Sequence, residues 1–113
     1  MSKKTLIIFI SEDGHTEKVM DHLRPLCVKG GTVIHGKSPL TDQDEKFFKI
    51  TIHPKRDLLL IACLEDQKHE IMREIYNNFG KGTEANGIVF SLEIDKTIGV
   101  RLQWKKKKRF LVY

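Results

Sequence analysis

Apolar and polar positions along the chain predict four β-strands and two α-helices. Two uninterrupted apolar runs, residues 6–10 and 58–64, are typical of strands in the middle of a sheet. A β-branched run from Thr32 predicts a third strand, and alternating apolar residues over positions 88–94 predict a half-buried fourth one. Helical patterns or a polar segment separate these strands along the chain.

Two segments between the strands carry apolar residues at helical spacing. In the first segment, Ser11 or Asp13 is expected to cap the helix. Pro25 is expected to kink or end it, and Gly30 to serve as its C-cap. The apolar faces consist of Val19, Met20, Leu23, Leu26 and Cys27 in the first segment and of Ile71, Met72, Ile75 and Phe79 in the second.

The resulting order is strand, helix, strand, loop, strand, helix, strand. This order predicts an α+β domain of the ferredoxin-like βαββαβ type, with both helices on one face of an antiparallel sheet. The other face of such a sheet needs cover, and the predicted central strands are apolar on both faces. We therefore expect copies of the chain to associate.

A polar segment, residues 37–46, follows the second strand and is interrupted by a single apolar residue, Leu40. Such a segment cannot bury itself, so it is either an exposed functional loop or a disordered connection. An alternating run over residues 48–52 then brings the chain back as a strand. Phe47 either begins this strand or docks a partner.

Length and composition indicate one domain, because 113 residues with 40% apolar side chains suffice for a single core. The chain has no apolar run long enough to span a bilayer, and its first residues lack the features of a signal peptide. The cytoplasm is therefore the expected location. Cys27 and Cys63 lie in apolar surroundings and are expected to be buried, reduced thiols.

The net charge of +5 is concentrated at the end of the chain. Residues 101–113 contain six Lys or Arg and no acid, which leaves 14 basic and 15 acidic residues in positions 1–100. A nearly neutral body argues against a specific nucleic-acid-binding face. The basic, aromatic tail is either solvated, or a contact for a polyanion or a membrane surface, or an added strand along a sheet edge or subunit seam.

Residues 30–36, 48–64 and 86–92 resemble the nitrogen regulatory P-II superfamily, in particular its short, divergent P-II-like branch. The resemblance covers about residues 1–100. It implies a ferredoxin-like homotrimer and a non-enzymatic signalling protein that binds adenine nucleotides, sometimes with 2-oxoglutarate, in clefts between subunits. It also implies that residues 37–46 are the family's T-loop, which contacts a target such as a transporter or a metabolic enzyme.

The resemblance also implies which residues bind the effector and the target. Three segments match the family's effector site: the base of the T-loop, the glycine-rich phosphate-facing B-loop and a C-terminal arginine. These matches are Gly36, Lys37 and Ser38, then Lys81, Gly82, Thr83, Asn86 and Gly87, and finally Arg101. The residues expected to contact a target are Leu40, Asp42, Asp44 and Phe47.

Several positions depart from the family's pattern. Ile88 stands where a lysine normally follows the B-loop, and Gly99 stands where a second arginine is expected. Each lost charge-assisted contact is worth roughly 1.5–3 kcal/mol, which favours a less charged adenine nucleotide, such as AMP, ADP or a cyclic nucleotide, or some other small anion, over ATP. Ser38 in place of a glutamine argues against 2-oxoglutarate, and the loop has no tyrosine to be uridylylated.

Two histidines, His35 at the start of the loop and His53 at its return, form a metal or anion site if they meet, or else simply face solvent. The first reading supports a different function, a ferredoxin-like metal-responsive or interaction protein of the copper-tolerance type without nucleotide binding. No arrangement for acid–base or nucleophilic catalysis stands out, since Asp42 and Asp44 lie in the loop. We therefore do not expect an enzyme.

Overall fold

The computed structural model describes residues 3–28, 30–37, 45–47, 50–52 and 55–99. Within these ranges, the chain forms six strands and two α-helices. In chain order they are β1 (Lys4–Glu12), α1 (Thr16–Leu23), β2 (Thr32–Lys37), β3 (Glu45–Phe47), β4 (Ile50–Ile52), β5 (Lys55–Leu64), α2 (Lys68–Phe79) and β6 (Ile88–Ile94). No helix in the described ranges is long and apolar enough to cross a bilayer.

The main sheet has four antiparallel strands in the order β2-β5-β1-β6. The two uninterrupted apolar runs of the sequence form β1 and β5, which are the central pair, as predicted. Their apolar side chains alternate between the two faces of the sheet, so one set points towards the helices and the other towards the opposite face. Together with the two helices, this topology confirms the predicted ferredoxin-like α+β fold.

Both helices contribute to a core on one face of the sheet. Every second residue of β1 and β5 is buried on this face. From β1 these are Thr5, Ile7, Phe9 and Ser11, and from β5 they are Asp57, Leu59, Ile61 and Cys63. The helices add Val19, Leu23, Ile71, Ile75 and Phe79. Each large apolar side chain buried here stabilises the fold by about 1.5–3 kcal/mol.

The opposite face of the sheet is apolar and open. Ile34 of β2 is 46% exposed, and Ile88, Phe90 and Leu92 of β6 are 55%, 40% and 52% exposed. Alternating apolar residues predicted a half-buried strand here, but the predicted apolar side of β6, with Ile88, Phe90 and Leu92, is the exposed side. The alternate residue Val89 packs against the core instead, because the helices cover only that face.

The ends of the first helix differ from the prediction. His15 precedes α1 and makes no side-chain capping hydrogen bond, so neither Ser11 nor Asp13 is the cap. Pro25 lies in a short 3₁₀ turn that follows α1, and the helix ends at Leu23 as expected. Cys27, with φ of 68°, takes the left-handed conformation at the end of this turn that was expected of Gly30.

The predicted loop contains secondary structure at both of its ends. Lys37 is the last residue of β2, and residues 45 and 46 belong to β3. Strand β3 pairs with β4 in a separate two-stranded sheet, with Glu45 opposite Ile52 and Phe47 opposite Ile50. Phe47 thus belongs to a strand, whereas residues 38–44 lie outside the described part of the chain.

Candidate functional site

Two of the segments predicted to bind an effector lie at the same end of the main sheet. We call residues 35–37 the loop root and residues 80–87 the glycine turn. The register places Gly36 of the loop root opposite Arg56, and Ile88, which follows the glycine turn, opposite Ile10. Because β2 and β6 are the two outer strands of four, about 14 Å separates them. One phosphate group therefore cannot contact both segments of the same protomer.

Hydrogen bonds inside the glycine turn fix its shape. The N–H and hydroxyl of Thr83 donate to the Gly80 carbonyl at 3.1 and 2.6 Å, and the N–H of Asn86 donates to the Thr83 carbonyl at 3.0 Å. Gly82 has φ of +89°, a conformation that favours glycine. The backbone amides of Thr83 and Asn86 thus hold the turn together.

Gly87 closes the glycine turn against the core. Its N–H donates to the Phe79 carbonyl at 2.9 Å, and a Cβ at this position would lie 2.3 Å from the ring of Phe9. The neighbouring Ala85 is 1% exposed, and its carbonyl accepts a hydrogen bond of 3.0 Å from the Glu12 N–H. The turn is therefore attached to the end of β1.

Three exposed amides of the glycine turn remain available. Within the described chain, no hydrogen bond uses the N–H groups of Lys81, Gly82, Glu84 or Ala85, and of these four residues only Ala85 is buried. Lys81 and Gly82 are exposed, so an anion can approach both amides and the lysine side chain. Of the predicted contacts in this turn, these two are the best suited to a phosphate.

The loop root borders a cavity of about 330 Å³ on the helix-covered side of the sheet. Its lining consists of Asp13, His35, Gly36, Lys37, Lys55 and Asp57. Lys37 and Lys55 are direct partners across β2 and β5, so two cations flank its opening. This places two of the predicted T-loop base residues, Gly36 and Lys37, on one cavity wall.

A buried carboxylate, Asp57, lies in this cavity although the sequence did not single it out. Asp57 is 2% exposed, and its Oδ1 accepts a hydrogen bond of 2.6 Å from His35 Nδ1 while its Oδ2 accepts one of 3.1 Å from the Gly14 N–H. Burial opposes ionisation, but these two hydrogen bonds and the charges of His35 and His15 outweigh it, so the pKa of Asp57 lies below its usual 3.8. The ionised carboxylate accepts only, so Nδ1 of His35 carries a proton.

The lowered pKa of Asp57 predicts a loss of stability in acid. A group with a depressed folded-state pKa stabilises the fold above its unfolded pKa, and this contribution disappears as the pH falls through the folded value. Urea midpoints should therefore fall below about pH 4, and fall less steeply in Asp57→Asn than in the wild type. Parallel midpoint curves for the two proteins between pH 7 and pH 3 would contradict this assignment.

Only one of the two histidines predicted to bind a metal has a described position. His35 hydrogen-bonds Asp57, whereas His53 lies outside the described residues, so their meeting stays a prediction. In the ranges that the structure describes, no group of three or more His, Cys, Asp or Glu side chains is arranged to hold a metal ion. Burial raises the pKa of Cys63 to about 11, which keeps this thiol protonated. Cys27 is half-buried rather than buried, and neither cysteine forms a disulfide in the described chain.

Several predicted site residues have no described position. They are Ser38, Leu40, Asp42, Asp44, His53 and Arg101, together with the rest of the 101–113 tail. Two residues of the cavity region, Asp57 and Gly14, were not among the site residues predicted from the sequence. A signal for Asp57 was present in the sequence, because Asp57 continues the alternation of Leu59, Ile61 and Cys63 on the buried face of β5.

Comparison with known proteins defines the fold. No protein-family model matches the chain, and no curated protein sequence does. Solved structures match most of it. A GlnK–ATP complex from B. subtilis has a TM-score of 0.64 at 19% identity and covers 87% of this chain and 88% of its own. GlnK from B. subtilis has a TM-score of 0.60 at 19% identity, with 88% and 92% covered.

Arabidopsis thaliana PII bound to citrate has a TM-score of 0.66 at 19% identity and covers 88% of this chain and 82% of its own. These similarities define the chain as a protein with the P-II fold and confirm the fold that the resemblance implied. Its low sequence identity to all three structures agrees with a divergent form of that fold.

Proposed function

We propose that the chain is a divergent, cytoplasmic, non-enzymatic regulator of the P-II type. It binds a small anionic effector, best an adenine nucleotide, and controls a target protein through the loop over residues 37–46. The observation that carries this proposal is the P-II fold with the glycine turn and the loop root at one end of the sheet.

The open apolar face supports a homotrimer. Monomers rarely expose a large contiguous apolar patch, and here exposed residues from both outer strands, Ile34, Ile88, Phe90 and Leu92, lie on one sheet face. We propose that three copies bury these faces against one another. The glycine turn of one copy then lies beside the loop root of the next, which brings together the two segments that are about 14 Å apart within one protomer.

The chemistry of the two segments favours an anion with few charges. The amides of Lys81 and Gly82, the side chain of Lys81 and the paired Lys37 and Lys55 supply donors and positive charge. The apolar Ile88 supplies none. The solved relatives in fold hold small anions, ATP in one case and citrate in another. For this chain we propose AMP, ADP or a cyclic nucleotide ahead of ATP.

Effector binding then controls the loop. An anion shared between a glycine turn and the neighbouring loop root fixes the point where the loop leaves the sheet. Such ordering of a segment by a ligand is a common regulatory switch. The ordered loop would engage the target, a transporter or a metabolic enzyme.

A thermal-shift screen with AMP, ADP, ATP and cyclic AMP tests the proposal. At ten times its dissociation constant a ligand stabilises the folded state by about 1.4 kcal/mol, which raises the melting temperature by several degrees. We expect this rise with at least one nucleotide and a smaller one in Lys81→Ala. The exposed helix residue Lys18, changed to Ala, is the matched control and should keep the wild-type shift. Unchanged melting with all four nucleotides at millimolar concentration would contradict the proposal.

A further inference from the structure

The turn between β1 and α1, residues 12–15, lies between the two segments of the proposed effector site and contacts both. On one side, its Glu12 N–H donates to the Ala85 carbonyl of the glycine turn at 3.0 Å. On the other side, two residues later, its Gly14 N–H donates to Asp57 Oδ2 at 3.1 Å. Asp57 in turn accepts a hydrogen bond of 2.6 Å from His35 of the loop root. A short, continuous set of hydrogen bonds thus spans one protomer.

Asp57 is the central member of this set. It is 2% exposed, and each of its two oxygens serves a different segment. The imidazole of His35 is 78% exposed, so this bond is what holds the ring against the sheet. Gly14 has φ of +93°, so its amide reaches the carboxylate from a backbone conformation that other residues rarely adopt.

Loss of this carboxylate would remove the side-chain link between the loop root and the β1–α1 turn, because Asp57 accepts hydrogen bonds from both. The Gly14 amide and the His35 ring are both exposed, so each would hydrogen-bond to water instead and would no longer be tied to Asp57. The charged side chains that line the same cavity are Asp13, Lys37 and Lys55, and of these only Asp13 can accept a hydrogen bond. Asp13 is exposed and so does not replace a buried carboxylate.

We infer that Asp57 is a positioning residue that fixes the loop root relative to the glycine turn of the same protomer. A ligand at the glycine turn is then sensed at the loop root through the β1–α1 turn as well as through the neighbouring copy. The sensing of a ligand at the loop root rests on the proposed function, whereas the positioning role of Asp57 does not require a ligand.

Amide hydrogen exchange of the ligand-free protein, followed by NMR, tests the positioning role. Asp57→Asn removes the charge and leaves one acceptor oxygen for two donors, so the amides of Gly14 and Gly36 should exchange about fivefold or more faster than in the wild type. The amide of Ile61, in the core of β5, should change far less. Unchanged exchange at Gly14 and at the loop root in Asp57→Asn would overturn the inference.

Two further variants separate positioning from general destabilisation. His35→Ala removes only the loop-root bond, so exchange should accelerate at Gly36 while Gly14 stays protected by Asp57. His22→Ala is the matched control, because His22 bonds Glu74 on the helices and should leave both amides unchanged. Equal acceleration at Gly14 and the loop root in His35→Ala would contradict the separate roles of the two carboxylate oxygens.

The same measurement with millimolar ADP tests the coupling. In the wild type, ADP should slow exchange at the glycine turn and at the loop root. In Asp57→Asn it should still slow exchange at the glycine turn, with the slowing at the loop root reduced about fivefold or more. Full slowing at the loop root in the variant would overturn the coupling. If ADP slows neither segment in the wild type, the proposed function fails, and the ligand-free comparison still decides the role of Asp57.

Discussion

Gly87→Ala is expected to lower the free energy of unfolding by about 3 kcal/mol, because the added methyl group has no room. Its Cβ would lie 2.3 Å from Cε1 of Phe9 and 2.9 Å from the Phe79 carbonyl oxygen. Phe9 is fully buried beneath the helices, so its ring cannot turn aside without disturbing the core. Urea denaturation gives the change directly.

Gly30→Ala is the matched control for this prediction. A Cβ at Gly30 would meet nothing within 4 Å, and its φ lies outside the range that favours glycine. We expect a change within about 0.5 kcal/mol of the wild type. Similar free energies of unfolding for the two variants would show that the glycine turn is not packed against Phe9 as described.

Phe90→Glu is expected to be a monomer, whereas we expect the wild type to form the proposed trimer. Phe90 lies on the open face of β6 and is 40% exposed in the single chain, so association would bury it. An unpaired carboxylate in such an interface costs several kcal/mol in each copy. Light scattering should therefore give about three times 13.1 kDa for the wild type and one times that mass for the variant.

Tyr76→Glu is the control for the loss of association. The exposed fraction of Tyr76, 47%, is close to the 40% of Phe90, but Tyr76 belongs to α2 on the other side of the sheet. This variant should keep the trimeric mass. A wild-type monomer, or equal masses for the wild type and Phe90→Glu, would contradict burial of the open face.

The parts of the fold that the sequence predicted are those with a strong periodic signal. The apolar runs at residues 6–10 and 58–64 identified the central strands, because a half-buried strand alternates apolar and polar residues whereas these runs place apolar residues on both faces. The same reasoning predicted an open apolar face. The sequence does not indicate which side of β6 the helices cover. The exposure of Phe90 and Leu92 therefore follows only from the packing of the helices in the structure.

Other features carried a weaker pattern. The alternating run over residues 48–52 predicted a strand where β4 lies, but β3 has three residues in a mostly polar segment, too few to show a period, so the separate β3–β4 sheet was not predicted. Asp57 continues the buried alternation of β5, but it follows two basic residues and looks solvent-facing, and only the register shows it opposite both Ser11 and His35. Its pairing with Gly14 depends on a turn 43 residues away along the chain.

Native mass spectrometry of the full chain with ADP tests the central claim most directly. The claim is that the effector site is shared, with the glycine turn of one copy facing the loop root of the next. We predict a species of three times 13.1 kDa that binds up to three nucleotides, and monomers that carry none. A monomer that binds ADP, or a trimer that binds no nucleotide, would contradict it.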